Sequence, residues 1–198
     1  MTAQTSRLLL IIAAFAAGLA LCLTAVLLVA QRATMPAVQA SGVGGAFKLI
    51  DQDGRSVTEQ DFKGKPFLVF FGFTHCPDVC PTALFEISEV FRKLGPDAAR
   101  AAGLFITVDP ERDTPAALKS YLTSFDPHLR ALTGDEAAID AVTRAYRAYY
   151  RKVPNPDGSY TMDHTALVYL MDKEGRFVAP FNLKRRPEDA AADLRRYF

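Results

Sequence analysis

Two cysteines stand four positions apart in the segment Phe73-Thr74-His75-Cys76-Pro77-Asp78-Val79-Cys80-Pro81. An almost continuously apolar run, Pro66 to Phe73 (PFLVFFGF), precedes them, and a helical pattern follows. The pair therefore sits where a buried strand hands over to a helix. Unpaired N–H groups and the positive end of the helix dipole favour an anion at that mouth, so the sequence predicts thiols more acidic than free cysteine. Residues four apart on a helix have Cβ atoms roughly 5–6 Å apart, and two sulfurs on one metal sit roughly 4 Å apart. A soft ion can thus be held with little backbone change. A disulfide asks for Cβ atoms roughly 3.5–4.5 Å apart, so oxidation needs a local adjustment. The plain alternative is a structural bridge, common outside the cytoplasm. Pro81 is tolerated if it lies in the first helical turn.

Two thiolates leave a metal site incomplete. The chain has three histidines, His75, His128 and His164. His164 lies in Tyr160-Thr161-Met162-Asp163-His164-Thr165, just before a predicted strand. A strand end can lie beside the helix mouth that carries the cysteines, and two sulfurs and one imidazole then converge. Thiolates select Cu(I) or zinc, and imidazole suits copper as well. A closed zinc site wants a fourth ligand, which the sequence does not offer; three suit trigonal Cu(I). His75 adjoins a ligand candidate but points elsewhere if the backbone there is extended, because neighbours alternate. His128, in Asp126-Pro127-His128, reads as a surface turn.

The elements that must position these groups are legible from periodicity. Phe47 to Ile50 and Arg55 to Thr58 flank the turn Asp51-Gln52-Asp53-Gly54 as a hairpin. Pro66 to Phe73 reads as a strand buried on both faces. A helix runs from near Asp78 to Leu94, with Leu84, Ile87, Phe91 and Leu94 on its buried side. Leu104 to Val108 is a second buried strand; a helix over 114–124 follows, with Thr114 or Asp113 as cap and Pro115 at its first position. Asp135 to Tyr146 is helical; Tyr149 to Val153, Thr165 to Met171 and Arg176 to Pro180 are strands, the last two joined by Asp172-Lys173-Glu174-Gly175. Pro187 to Tyr197 closes the chain as a helix. This alternation predicts an α/β sheet covered on both faces.

Ahead of the domain, Leu8 to Ala30 carries no charged residue. About 23 residues at 1.5 Å each make roughly 34 Å of helix, enough to cross a bilayer. Residues 1–7 then form a cytoplasmic arm, 8–30 a transmembrane anchor, 31–45 (QRATMPAVQASGVGG) a flexible linker and 46–198 the domain. Arg7 and the α-amino group favour an N-in orientation, which places the domain on the outer, periplasmic-type face. A cleavable signal peptide ending at Val38-Gln39-Ala40 is the rival; its apolar core is usually shorter than this run. Cys22 lies inside the span and reads as a small buried hydrophobe, since Leu21 does not fit a lipoprotein cleavage box. Lys plus Arg number 23 and Asp plus Glu 22, a balance that sets nucleic-acid binding aside. Lys184-Arg185-Arg186 reads as a solvated loop.

Three blocks in order resemble the SCO/SenC family: Phe73 to Pro81, then Val108-Asp109-Pro110-Glu111-Arg112-Asp113-Thr114-Pro115, then Asp163-His164-Thr165. The resemblance covers residues 46–198. It implies a thioredoxin-like fold with an added N-terminal β-hairpin, and copper, as Cu(I) or Cu(II), on Cys76, Cys80 and His164. It further implies a metallochaperone, a transfer protein rather than an enzyme. The client would be the dinuclear copper centre of cytochrome c oxidase subunit II, with a thioredoxin-like reductant and an upstream copper donor as further partners. Relatives differ at the position of His75, in keeping with its exclusion. The alternative is a membrane-anchored thiol–disulfide reductase using Cys76 and Cys80 on the client's cysteines. Such enzymes usually carry C-x-x-C rather than C-x-x-x-C. A peroxidase is disfavoured, because Phe73 and Pro77 stand three before the cysteines where Thr or Ser is required. Asp109, Glu111 and Asp113 read either as a docking surface or as a turn and cap, the latter preferred for Asp113. Asp163 either orients His164 or caps a turn.

Overall fold

A computed structural model describes residues 13–24 and 42–198. The chain divides into two compact units, Met1–Gln39 and Ala40–Phe198. In the first, residues 13–24 are helical, with Phe15, Leu19, Leu21, Leu23 and Cys22 exposed. Among the described residues no helix is long and apolar enough to cross a membrane. The arm 1–7, both ends of the apolar run, the cleavage-site candidate and residues 31–41 of the linker lie outside the described residues.

In the second unit β1 (Lys48–Asp51) and β2 (Ser56–Thr58) form the expected antiparallel hairpin. Its turn is organised by the buried Asp51 carboxylate, which accepts from the N–H groups of Asp53 and Arg55. A 3-10 turn, Glu59–Phe62, leads into β3 (Phe67–Gly72), every residue of which is buried. α1 (Val79–Leu94) follows, burying Leu84, Ile87, Val90, Phe91 and Leu94. β4 (Ala102–Thr107) is parallel to β3 and equally buried, which requires cover on both faces of the sheet.

α2 (Pro115–Leu122) is capped by Thr114, whose hydroxyl accepts from the Ala117 N–H, and α3 (Glu136–Ala145) by Asp135, which accepts from the Ala138 N–H. Between them lies β5 (Leu129–Thr133), a strand the periodicity did not reveal. It interrupts its apolar run with Arg130, whose guanidinium reaches across to Asp51 at 2.8 Å. β5 joins β4 in parallel and β1 antiparallel, so it ties the hairpin to the core.

β6 (Tyr150–Pro154) and β7 (Tyr160–His164) form a separate two-stranded ribbon. β7 is the second departure from expectation, and the strand read as beginning at Thr165 starts only at β8 (Val168–Met171). β9 (Phe177–Pro180) and α4 (Pro187–Arg195) complete the chain, with α4 packed on α1. The main sheet runs β2-β1-β5-β4-β3-β8-β9. It is a mixed thioredoxin-like sheet, with β3 carrying the cysteine loop at its C-terminal end and the added hairpin on the far edge.

Candidate metal centre

The cysteine loop leaves β3 after Gly72. A turn closes where the Cys76 N–H donates to the Phe73 carbonyl at 3.2 Å. Only Cys80 lies within α1, in its first turn with Pro81 beside it; Cys76 precedes the helix. Asp78 stands at the N-cap, but its side chain caps no helix N–H. Instead the Cys80 N–H donates to Cys76 Sγ at 3.3 Å, so a sulfur satisfies an otherwise unpaired helix donor. Gly72 makes room: a Cβ there would meet Cys80 Sγ and the Phe105 ring, each at 2.7 Å. Cys80 is buried and Cys76 half-buried.

His164 ends β7 and brings its Nε2 to 3.5 Å from Cys80 Sγ. Its Nδ1 lies 3.2 Å from the Thr165 carbonyl, so the proton belongs on Nδ1 and the Nε2 lone pair faces the sulfurs. Phe70 and Phe73 meet the imidazole at steep angles, 76° and 86°, with centroids 6.1 and 5.8 Å away. Burial lowers the His164 pKa and favours the neutral ring that a metal needs. One ligand atom from each of Cys76, Cys80 and His164 lies within 4.8 Å of the others. The geometry thus gathers two sulfurs and an unprotonated nitrogen, a soft donor set suited to Cu(I).

One electrostatic expectation is overturned. Burial pushes the Cys80 thiol far above its ordinary range, and neighbouring Cys76 and Asp113 add to the effect. Desolvation outweighs the helix mouth at this position. An ionised Cys80 therefore requires a compensating cation, which a bound metal supplies.

Among the acidic residues the structure corrects several readings. Asp113 does not cap α2; Thr114 does. Fully buried, Asp113 accepts from the Thr74 N–H at 3.0 Å and from the hydroxyls of Thr74 and Thr107, both at 2.6 Å, holding the cysteine loop to the end of β4. Asp109 pairs with Arg112 and accepts from the Tyr160 hydroxyl at 3.0 Å. Asp163 does not reach the His164 ring; it pairs with Arg151 at 3.0 Å. His75 lies in a turn rather than on extended backbone, exposed, 4.0 Å from Asp113. With Asp109 and Asp113 it forms a second group of potential ligands. Both of those carboxylates already hold protein donors, so that group reads as a structural network. His128 is half-buried and stacks on Phe91 at 5.6 Å. Arg185 and Arg186 pair with Asp193 and Asp189. Sequence reasoning passed over Gly72, Phe70 and the Thr165 carbonyl. The only signal was a glycine at the last position of an otherwise bulky strand.

The family model described as SCO1/SenC matches residues 36–198. The SCO2-like protein of Rickettsia conorii is 40% identical over 155 residues, covering 77% of this chain and 76% of that protein. The copper-bound structure of Bradyrhizobium japonicum ScoI is 65% identical, with a TM-score of 0.77, covering 79% of this chain and 99% of that one. The copper-bound Arabidopsis thaliana ScoI structure is 38% identical, with a TM-score of 0.72 and coverages of 79% and 99%.

Proposed function

The chain belongs to the SCO1/SenC family, and from that premise we propose that it carries copper on Cys76, Cys80 and His164 and delivers it during assembly of cytochrome c oxidase. The observation that carries this reading is the meeting of the His164 Nε2 with two sulfurs across 84 residues of sequence. A structural disulfide has no use for an imidazole whose lone pair is aimed at its sulfur. The copper-bound ScoI relatives support the same metal. Copper is the cargo. Its acceptor is the dinuclear centre of subunit II, a thiol-rich site suited to ligand exchange from thiolates. The apolar run 8–30, with its exposed Phe15, Leu19, Leu21 and Leu23, supports a membrane anchor that leaves the domain on the outer face.

The deciding experiment is anaerobic Cu(I) titration of the reduced protein against a competing chelator, with His164→Ala alongside. One tight copper per chain, weakened by the substitution, is expected. Equal binding without the imidazole breaks the assignment.

Thiol–disulfide exchange is the second reading, favoured by the closeness of the two sulfurs. Here the two thiols lose two electrons and two protons to a client disulfide, which becomes two thiols, while a Cys76–Cys80 bridge forms. The bridged form has no thiolate to offer, so it is expected to bind no Cu(I) tightly; stoichiometric loading of the oxidised protein contradicts this.

A further inference from the structure

The two halves of the metal centre belong to separate sheets. The cysteine loop grows from the seven-stranded sheet, whereas His164 ends a two-stranded ribbon outside it. A lone ribbon is marginally stable in water, and no ladder hydrogen bond of the main sheet fixes where it stands. Resting on the copper reading above, we propose that Arg112 is a positioning residue that sets His164 against the two sulfurs by clamping the ribbon to the loop after β4.

Arg112 grips the ribbon at Tyr160, the first residue of β7. Its guanidinium carbon lies 3.7 Å above the Tyr160 ring, and its Nη1 donates to the Tyr160 carbonyl at 3.1 Å. The buried Asp109 pairs with the guanidinium and also accepts from the Tyr160 hydroxyl, which closes the grip through a third group. Lys152, from β6, sits 3.8 Å from the centre of the same ring and pairs with Glu111.

A second route runs straight to the ligand. Arg112 lies 5.8 Å from the centre of the Phe73 ring, and Phe73 packs on the His164 imidazole. One residue further along the same loop, Asp113 holds Thr74 beside the cysteines. The segment Asp109–Asp113 thus grasps both ligand-bearing pieces at once. Arg112 Nη2 is buried without a partner, a cost tolerated where a planar, forked cation is needed for stacking and pairing together. Lysine keeps the charge but has neither the plane nor the fork.

The test is a double-mutant cycle on the full chain, read by Cu(I) affinity and by the charge-transfer spectrum of the Cu(II) form. Arg112→Lys should weaken Cu(I) about tenfold when His164 is present, the lower end for residues that orient a metal ligand. In a His164→Ala background it should change affinity by less than about twofold, because nothing remains to position. The Cu(II) spectrum should shift toward that of His164→Ala. Tyr160→Leu, which removes the ring on the other side of the clamp, should give the same His164-dependent loss. Thermal unfolding of the metal-free variants identifies any that fail to fold. Equal losses with and without His164 overturn the clamp and leave a general structural role. Unchanged affinity on Arg112→Lys and Tyr160→Leu, with His164→Ala still weakened, overturns the clamp but spares the copper site. No effect of His164→Ala overturns the copper reading itself.

Discussion

Cys76 and Cys80 differ in a way their spacing conceals. Cys80 is sealed beneath Gly72 and against His164, while Cys76 stands half-exposed on the preceding turn. Alkylation of the reduced, metal-free protein should therefore modify Cys76 well before Cys80, as peptide mass spectrometry can follow. Gly72→Ala drives a methyl into Cys80 Sγ and the Phe105 ring. It is expected to cost about 1–3 kcal/mol in urea unfolding, the range for overpacked cores, and to weaken copper binding by displacing the sulfur. That Cys76, Cys80 and His164 would converge was legible from residue type, spacing and family resemblance. The sign of the Cys80 pKa shift was not, because burial is a property of the finished fold while the helix mouth is visible in the sequence.

At the scale of elements, caps and turns were the most readable features. Thr114 caps α2 and Pro115 follows it, as the sequence indicated. Thr114→Ala should cost about 1 kcal/mol by thermal unfolding. The β1–β2 turn depends on Asp51. Burial alone would raise its carboxyl, but the Arg55 N–H, the Arg130 guanidinium and the Asp53 N–H outweigh it and hold the pKa below the ordinary range. The resulting stability is complete above the unfolded value of about 3.9 and is lost as pH falls through the lower, folded one. Asp51→Asn should destabilise by about 2 kcal/mol at neutral pH, and the gap to the unaltered protein should narrow near pH 3 in urea titrations. Two strands escaped sequence reading for opposite reasons. β5 hides a charged residue, Arg130, inside a short buried run, and its partner Asp51 lies 79 positions away. β7 (YTMDH) is too polar to look like a strand of a buried sheet, and it pairs only with β6.

For the molecule as a whole, the buried core is built from apolar side chains of the sheet and its helices; of the three candidate ligands only Cys80 belongs to it, while Cys76 and the His164 ring pack against it. Removing copper with a chelator should leave far-UV circular dichroism unchanged. Loading should raise the thermal midpoint, since a ligand at a hundredfold excess over its Kd stabilises by about 2.7 kcal/mol. A chain lacking Cys76 and Cys80 should show no such rise. The α/β class and the hairpin followed from alternating patterns, whereas the separate ribbon could not, since no local signal says which sheet a strand will join. The distance in sequence between Cys80 and His164, 84 residues, also sets a clock. At about 5–20 residues per second of synthesis, the imidazole follows the second thiol by roughly 4–17 s. Until then a growing chain offers only a local thiol pair, open to oxidation and to stray metals. The three donors can meet only once the ribbon that carries His164 has folded against α1 and the loop before it, so metal loading would report that this late folding step is complete.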